Sequence, residues 1–247
     1  MTERRPRVRA ANEVRPADLV LSLCHEVANI LAGTRLALHL VAKGLVEGDF
    51  SESAARIEAE TTRAGAYLGQ MRPLLEEGPS PRPRIAASEV LSVLERSLGR
   101  AAGGPPQLSI RLPRSVPDVR VDPDALHHVL VALVLSAADV TSQRNRVRVS
   151  AHRSGARVVF QIEDDGGVLE AGPAPGQVPR RGRPLVLAAA TVIVRRQGGR
   201  MSALPRPAKR GTCIRIELPA ARAIASRTGQ PRARRAPRGF ARSGSVR

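Results

Sequence analysis

The stretch CHEVANILAGTRLALHLV (Cys24–Val41) decides the fold, because it places a histidine and a glutamate on a helix otherwise built for burial. One line of residues recurs at alternating spacings of three and four, which is the seam of a heptad repeat. The seam contains Val20, Leu23, Val27, Ile30, Thr34, Ala37 and Val41. A second line lies beside it, seven residues apart: Cys24, Leu31, Leu38 and Leu45. So broad an apolar face predicts a four-helix bundle rather than a two-helix zipper.

A second helix follows the interruption at Gly44 and Gly48. Its heptad line contains Ala54, Ile57, Thr61, Ala64, Leu68, Met71 and Leu75. Two such helices form a hairpin whose apolar faces are too wide to cover each other within one chain. We therefore expect a homodimer in which two hairpins build one bundle.

The second half of the chain alternates helical and strand patterns. Helices are predicted at 86–100, 121–140 and 185–197, and strands at 108–112, 199–204 and 212–219. A hairpin with a Ser154-Gly155 turn is predicted over 146–163. Asp122 and Pro123 are a typical N-cap and first helical residue. The predicted fold class is α+β, in which a helical hairpin (16–77) and a Pro-rich linker (78–85) precede an α/β sandwich domain (86–220).

Composition limits the functional classes. No apolar run approaches the 18 residues of a membrane span, and MTERRPRVRA (1–10) has no signal-peptide core, so a cytoplasmic protein without membrane contact is expected. Two distant cysteines suggest neither a disulfide framework nor a metal site. The net charge of +18 falls to +10 without the tail 220–247, which has eight arginines and no acid. We expect 1–15 and the Arg-rich tail 221–247 to be disordered, and nucleic acid to be an unlikely partner.

The candidate reactive group is His25, which lies beside the first seam and should project from the bundle surface. A neutral imidazole nitrogen that faces outward is a nucleophile. Glu26 could fix the tautomer and take the proton from the other ring nitrogen. Asn29, one turn after His25, could orient a water molecule. His39, which no acid follows, is read as packed or solvated, and Cys24 as a small core residue.

This arrangement resembles the sensor histidine kinases. His-Glu-x-x-Asn early in a helical hairpin resembles their H-box, and three later segments resemble the ATP-binding domain of the GHKL type. Those segments are DPDALHHVLVALVLSAADV (the asparagine box), VVFQIEDDGG (the first glycine box) and GRPLVLAAATVIVRRQGGRMSAL with GTCIRIELP. The resemblance implies that His25 accepts a phosphoryl group, Glu26 is its general base and Asn29 supports dephosphorylation of a response-regulator receiver domain.

The departures from the family's pattern concern the nucleotide. The asparagine positions read Ala132 and Ser136, and neither is a good magnesium ligand. The second glycine of the first box is Val168. In the second box, the positions of the family's two phosphate-contacting glycines are occupied by Pro184 and Val186. We therefore expect no cofactor, with ATP and magnesium bound only if the chain is an active kinase.

What remains is a vestigial nucleotide site at Asp164, the family's adenine-binding aspartate, and Gly166. A degenerate ATPase-like domain resembles histidine phosphotransferases of the ChpT type, which relay phosphoryl groups between receiver aspartates. Two alternatives stay open. One is an active cytoplasmic kinase that phosphorylates His25 from ATP, and the other is a non-catalytic dimeric adaptor that acts through the basic tail.

Overall fold

The computed structural model describes residues 14–45, 50–76, 78, 81–99, 107–111, 116–139, 146–166, 177–206 and 210–221. Within them the helices are α1 (Pro16–Ala42), α2 (Phe50–Leu75), α3 (Ala87–Gly99), α4 (Pro123–Asp139) and α5 (Gly182–Arg196). The strands are β1 (Arg84–Ile85), β2 (Gln107–Arg111), β3 (Val119–Arg120), β4 (Arg146–Ser154), β5 (Arg157–Asp164), β6 (Arg200–Pro205) and β7 (Thr212–Pro219). The predicted terminal segments, apart from residues 14, 15 and 221, lie outside these residues.

Helices α1 and α2 form the predicted hairpin, and the two heptad lines of α1 have different environments. The seam faces α2, since Leu23 and Val27 are buried and the other seam residues are half-buried. The second line is exposed throughout: Leu31 is 59% exposed and Leu45 is 68% exposed. Within one chain, α2 therefore covers only one of the two lines.

The heptad line of α2 divides in the same way. Ile57, Ala64 and Met71 are half-buried or buried and lie toward α1, whereas the other members of the line are exposed: Ala54, Thr61, Leu68 and Leu75. A further buried face of α2, which the heptad pattern did not predict, contains Ala66, Tyr67, Gln70 and Leu74. This face is covered because α2 also packs against α4.

The second half is an α/β sandwich with a mixed sheet, as predicted. The main sheet has the order β2-β4-β5-β7-β6, in which β2 and β4 are parallel and the other neighbours are antiparallel. Alternate residues of β7 are buried, so the helices cover one face. Helix α4 is buried along nearly its whole length, because α2, α3 and α5 surround it above the sheet.

Local signals placed most elements correctly. Asp122 caps α4, since its Oδ1 accepts hydrogen bonds from the backbone N–H groups of Asp124 (3.0 Å) and Ala125 (3.1 Å). Two details differ from the prediction. The hairpin turn is Gly155-Ala156, not Ser154-Gly155, because Ser154 still pairs with Arg157. Helix α5 begins three residues early, at Gly182, where a φ of +66° turns the chain into the helix.

The predicted linker ends in a strand. Arg84 and Ile85 pair with β3 in a two-stranded antiparallel sheet. Val119 of β3 also bridges to Ala220, just after β7, so the connection is held against the sandwich domain. In the described residues no helix is both long and apolar enough to cross a lipid bilayer.

Candidate functional site

His25 lies in the first half of α1 with an exposed side chain. Leu23 and Val27, two residues to either side, are buried, so helical geometry turns His25 away from the seam. Within the described part of the chain, no group is hydrogen-bonded to its imidazole ring. The ring is therefore accessible from solvent, as the heptad register predicted.

Glu26 is half-buried between His25 and the helix interface. Its charge acts on Tyr67, a buried residue of α2 whose pKa is raised to about 12, first of all by burial. No hydrogen bond joins the Glu26 carboxylate to the His25 ring among the described residues. The role of Glu26 as a base stays a prediction, since hydrogen bonds of this kind often form only in the reacting complex.

Asn29 is exposed one turn after His25, and it borders a groove between α1 and α2 with a volume of about 290 Å³. The groove is lined by Asn29, Ile30, Gly33, Thr34, Ala37, Arg56, Ile57 and Glu60. Gly33 and Ala37 leave room where larger side chains would fill the space. The Oγ1 atom of Thr34 is buried there without a hydrogen-bond partner in the described residues.

Cys24 was predicted to be a small core residue, and within a single chain it is not covered. Its side chain is exposed on the second heptad line, with Sγ 3.8 Å from Sδ of Met71. His39 is exposed two heptads after His25. The described residues contain no group of three or more His, Cys, Asp or Glu side chains arranged to hold a metal ion.

The second candidate site lies at the end of β5, where Asp164 is enclosed by donors from its own chain. Its Oδ1 accepts the backbone N–H groups of Gly166 (3.1 Å) and Thr212 (3.2 Å). Its Oδ2 accepts a hydrogen bond of 2.6 Å from Arg183 of α5. The Asp164 side chain is 0% exposed and that of Arg183 is 10% exposed. Asp164 and Gly166 are thus brought together, and Arg183 joins them.

Asp165, next to this site, pairs with two arginines, Arg148 and Arg206. Burial raises the pKa of this carboxyl, but the hydrogen bond from Arg206 and the charge of Arg148 outweigh it and hold the pKa below its usual value. Arg148 lies 3.0 Å from Asp165, and Arg206 also donates to the backbone carbonyl of Asp164. The chain approaches closely here, because a Cβ at Gly211, where φ is +106°, would overlap that carbonyl. Both acids are therefore matched by arginines.

The positions that resemble magnesium and phosphate contacts are packed. Ala132 is fully buried in α4, and the hydroxyl of Ser136 donates to the Leu133 carbonyl at 2.8 Å. Val186 is fully buried in α5. Pro184, in the first turn of α5, has no N–H to offer. Val168 lies outside the described residues.

A third cluster joins the two halves of the molecule. Gly69 of α2 faces the ring of His128 in α4 so closely that a Cβ at this glycine would overlap the ring. Arg72 pairs with Asp122 at 3.0 Å, and Arg63 pairs with Asp139 at 2.5 Å. This interface holds α2 against α4.

Sequence reasoning missed Arg183, Thr212, Gly211, Tyr67 and Gly69. The sequence patterns contain a signal only for Gly211, since a glycine beside a strand often marks a close backbone approach. The others depend on which segments meet in space.

Comparisons with known proteins agree with this architecture. Residues 121–222 match the profile of the family described as histidine kinase-, DNA gyrase B- and HSP90-like ATPases. The sensor histidine kinase ZraS of Escherichia coli strain K12 is 24% identical over 212 residues, which cover 81% of this chain and 45% of ZraS. The chain thus spans about half the length of that relative.

Among solved structures, full-length ShkA in complex with AMPPNP has the same fold over much of the chain. The TM-score is 0.51 at 16% identity, and the match covers 84% of this chain and 46% of ShkA. The match extends beyond the sandwich domain to the helical hairpin.

Proposed function

We propose that this chain, a member of the sensor histidine kinase superfamily, receives a phosphoryl group on His25 from a receiver-domain aspartate of a response regulator and donates it to another. The main support is the contrast between the exposed His25 imidazole, which has no hydrogen-bond partner in the described residues, and the buried Asp164 carboxylate, which is held by donors of its own chain. The relay therefore proceeds between proteins rather than from ATP. The partners are receiver domains, of which one is the phosphorylated donor and another is the unphosphorylated acceptor.

The transfer follows from the chemistry of imidazole. A neutral ring nitrogen of His25 attacks the phosphorus of an aspartyl phosphate, and the P–O bond to the aspartate breaks. The released carboxylate keeps the electron pair of that bond. The other ring nitrogen gives its proton to Glu26, which leaves a neutral phosphohistidine. The reverse sequence donates the group to a second receiver.

The residues of the ATPase-like domain support the relay proposal, because they do not fit magnesium-ATP. Ala132 has no ligand atom, and the Ser136 hydroxyl is engaged with Leu133. Val186 is packed into the core, and Pro184 cannot donate to a phosphate. Phosphoryl transfer from ATP depends on positioning and charge neutralisation, and these residues supply neither.

The exposed heptad lines favour a homodimer. Leu31, Leu38 and Leu45 of α1 and Leu68 and Leu75 of α2 are all at least half exposed. A monomer in water rarely exposes so many leucines on one helical hairpin. Packing against a second hairpin would bury these residues in a four-helix bundle with His25 on its outside.

The decisive experiment is transfer of ³²P from receiver domains labelled with acetyl phosphate. We expect label to move to the wild-type chain, and His25→Ala to abolish the transfer. His39→Ala is the matched control, since this histidine is exposed on the same helix, and it should retain transfer. Label that never leaves any receiver of the source organism would exclude the proposal.

Asn29 is proposed to assist hydrolysis of the receiver's aspartyl phosphate by orienting a water molecule beside His25. Its amide is exposed one turn from the ring, where a docked receiver would meet both groups. Asn29→Ala should lengthen the lifetime of the phosphorylated receiver while transfer to His25 continues. An unchanged lifetime would exclude this role.

The active-kinase alternative rests on the sandwich domain, which belongs to a family of ATPases and retains Asp164. Incubation with γ-³²P-ATP and magnesium distinguishes the two proposals. Label on His25 would establish the kinase activity and exclude the proposal that the sandwich domain cannot use ATP. The adaptor alternative instead predicts that function survives His25→Ala and is lost when residues 222–247 are removed.

A further inference from the structure

Three donors among the described residues hold the Asp164 carboxylate, whose side chain is 0% exposed. The two backbone N–H groups of Gly166 and Thr212 occupy Oδ1, and the Arg183 guanidinium occupies Oδ2 at 2.6 Å. A buried carboxylate with this set of donors is fully neutralised. A ligand could reach Oδ2 only by displacing Arg183.

Two polar atoms beside this ion pair are buried without a partner in the described residues: Nε of Arg183 and Oγ1 of Thr212. Native proteins rarely leave buried donors unsatisfied, so such atoms need an explanation. Thr212 is the residue whose backbone N–H binds Asp164, and it is 0% exposed. The surroundings of the carboxylate therefore suit a group other than a guanidinium.

The donors and acceptors define that group. It must donate an N–H to Oδ2 of Asp164, and an adjacent acceptor would give the hydroxyl hydrogen of Thr212 a partner. The amino-substituted edge of adenine has an N–H donor next to a ring-nitrogen acceptor. Arg183 is planar and supplies the N–H donor for Oδ2, but its remaining donors do not reach the Thr212 hydroxyl, which stays without a partner in the described residues.

We propose that Arg183 is an internal cap, which occupies the place of an aminopurine against Asp164 and keeps the ATPase-like domain closed to nucleobases. The inference rests on the proposed function, in which this site is a vestigial nucleotide site. Arg183 is well placed for the role, because it lies in the first turn of α5, directly after Gly182 with its φ of +66°. The buried Leu185 and Val186 anchor the same turn and aim Arg183 at β5.

Adenosine is the probe that tests the cap, since it lacks the phosphates and metal for which Ala132, Pro184 and Val186 are unsuited. Saturation-transfer NMR on the full-length chain with 1 mM adenosine should show no transfer to the adenine protons in the wild type. Arg183→Ala should give clear transfer. Inosine has a carbonyl instead of the amino group, and it should give none with either protein.

The matched control is Arg148→Ala, which removes a neighbouring arginine that binds Asp165 but not Asp164. It should leave the site closed. Adenosine binding to the wild type, equal binding to the Arg148 variant, or no binding to a folded Arg183 variant would each overturn the cap. If Arg183→Ala does not fold, Arg183→Gln is read by the same criteria, because it is shorter and uncharged.

The result is independent of the relay itself. Transfer from receivers to His25 tests the proposed function, whereas adenosine binding reports only on Arg183. A chain that fails to accept label but opens to adenosine on loss of Arg183 would keep the cap and lose the relay. Transfer of label from ATP to His25 of the wild-type chain would contradict both the cap and the relay.

Discussion

His25 and Asp164 are the two candidate reactive side chains of this molecule, and their surroundings are opposite. The imidazole of His25 is exposed and has no hydrogen-bond partner in the described residues. The carboxylate of Asp164 is fully buried and has three donors. A side chain that must react with another protein needs access, whereas a carboxylate buried against an arginine of its own chain is a structural ion pair. The comparison supports the proposal that the hairpin carries the chemistry and that Asp164 has a structural role.

The largest expected effect concerns the proposed base beside His25. Glu26→Gln removes the proposed base but keeps the shape of the side chain, and it should slow phosphoryl transfer to His25 by about 10²- to 10⁴-fold. Rapid-quench measurement with a labelled receiver gives the rate. Glu58→Gln, at an exposed position of α2, should transfer at the wild-type rate. A Glu26 variant as fast as this control would remove Glu26 from the mechanism.

The next effect concerns the buried ion pair. Asp164→Ala leaves the Arg183 guanidinium buried without its partner, which should lower the free energy of unfolding by about 3–5 kcal/mol. Urea unfolding followed by circular dichroism measures the loss. Glu58→Ala should change it by less than about 0.5 kcal/mol. If both variants were equally stable, Asp164 would not be the structural residue that the comparison requires.

The interface between the two halves gives a smaller effect. Gly69→Ala places a methyl group on the His128 ring and should destabilise the protein by about 1–3 kcal/mol through overpacking. Gly65→Ala is the matched control on the same helix, where a Cβ meets nothing within 4 Å. Since alanine favours helix over glycine, the control should stabilise by up to about 1 kcal/mol. If both substitutions raised the free energy of unfolding by the same amount, α2 and α4 would not be in close contact at Gly69.

The smallest effect is a pH dependence of the same interface. Burial is the main cause that lowers the pKa of His128 below 6.5. The charges of Asp124 and Asp122 raise this pKa and the charge of Arg72 lowers it, and the net shift is downward. The unfolded chain then binds a proton more readily than the folded one, so stability should fall as the pH drops below about 6.5. His127 shifts in the same direction, chiefly through burial.

Thermal unfolding between pH 5 and 8 measures this dependence. His128→Gln should flatten it, whereas His152→Gln, at an exposed position of β4, should leave it unchanged. A wild-type profile that is flat over this range would contradict the prediction.

Periodic signals in the sequence were sufficient for most of the fold. The first heptad seam is covered by α2, and Asp122 caps α4 as its position predicted. The exposure of His25 followed from its place beside the seam. These features depend on local geometry, which repeats with a known period along the chain.

The remaining features arise where distant segments meet. Arg183 and Asp164 are 19 residues apart in sequence, and no pattern in either segment indicates that they pair. The same is true of Gly69 and His128, which lie on helices from different halves of the molecule. Cys24 is exposed within one chain, and its apolar heptad position does not reveal whether a covering partner lies in the same chain.

The end of α2 shows a dependence of one half on the other. Arg196 of α5 donates to the backbone carbonyls of Pro73 (2.7 Å) and Glu76 (2.9 Å), so it serves as a C-terminal cap supplied from a different part of the chain. A fragment cut after residue 77 would lose this cap, and its last turn would fray. Efforts to isolate the histidine-bearing hairpin for binding studies should therefore retain the sandwich domain.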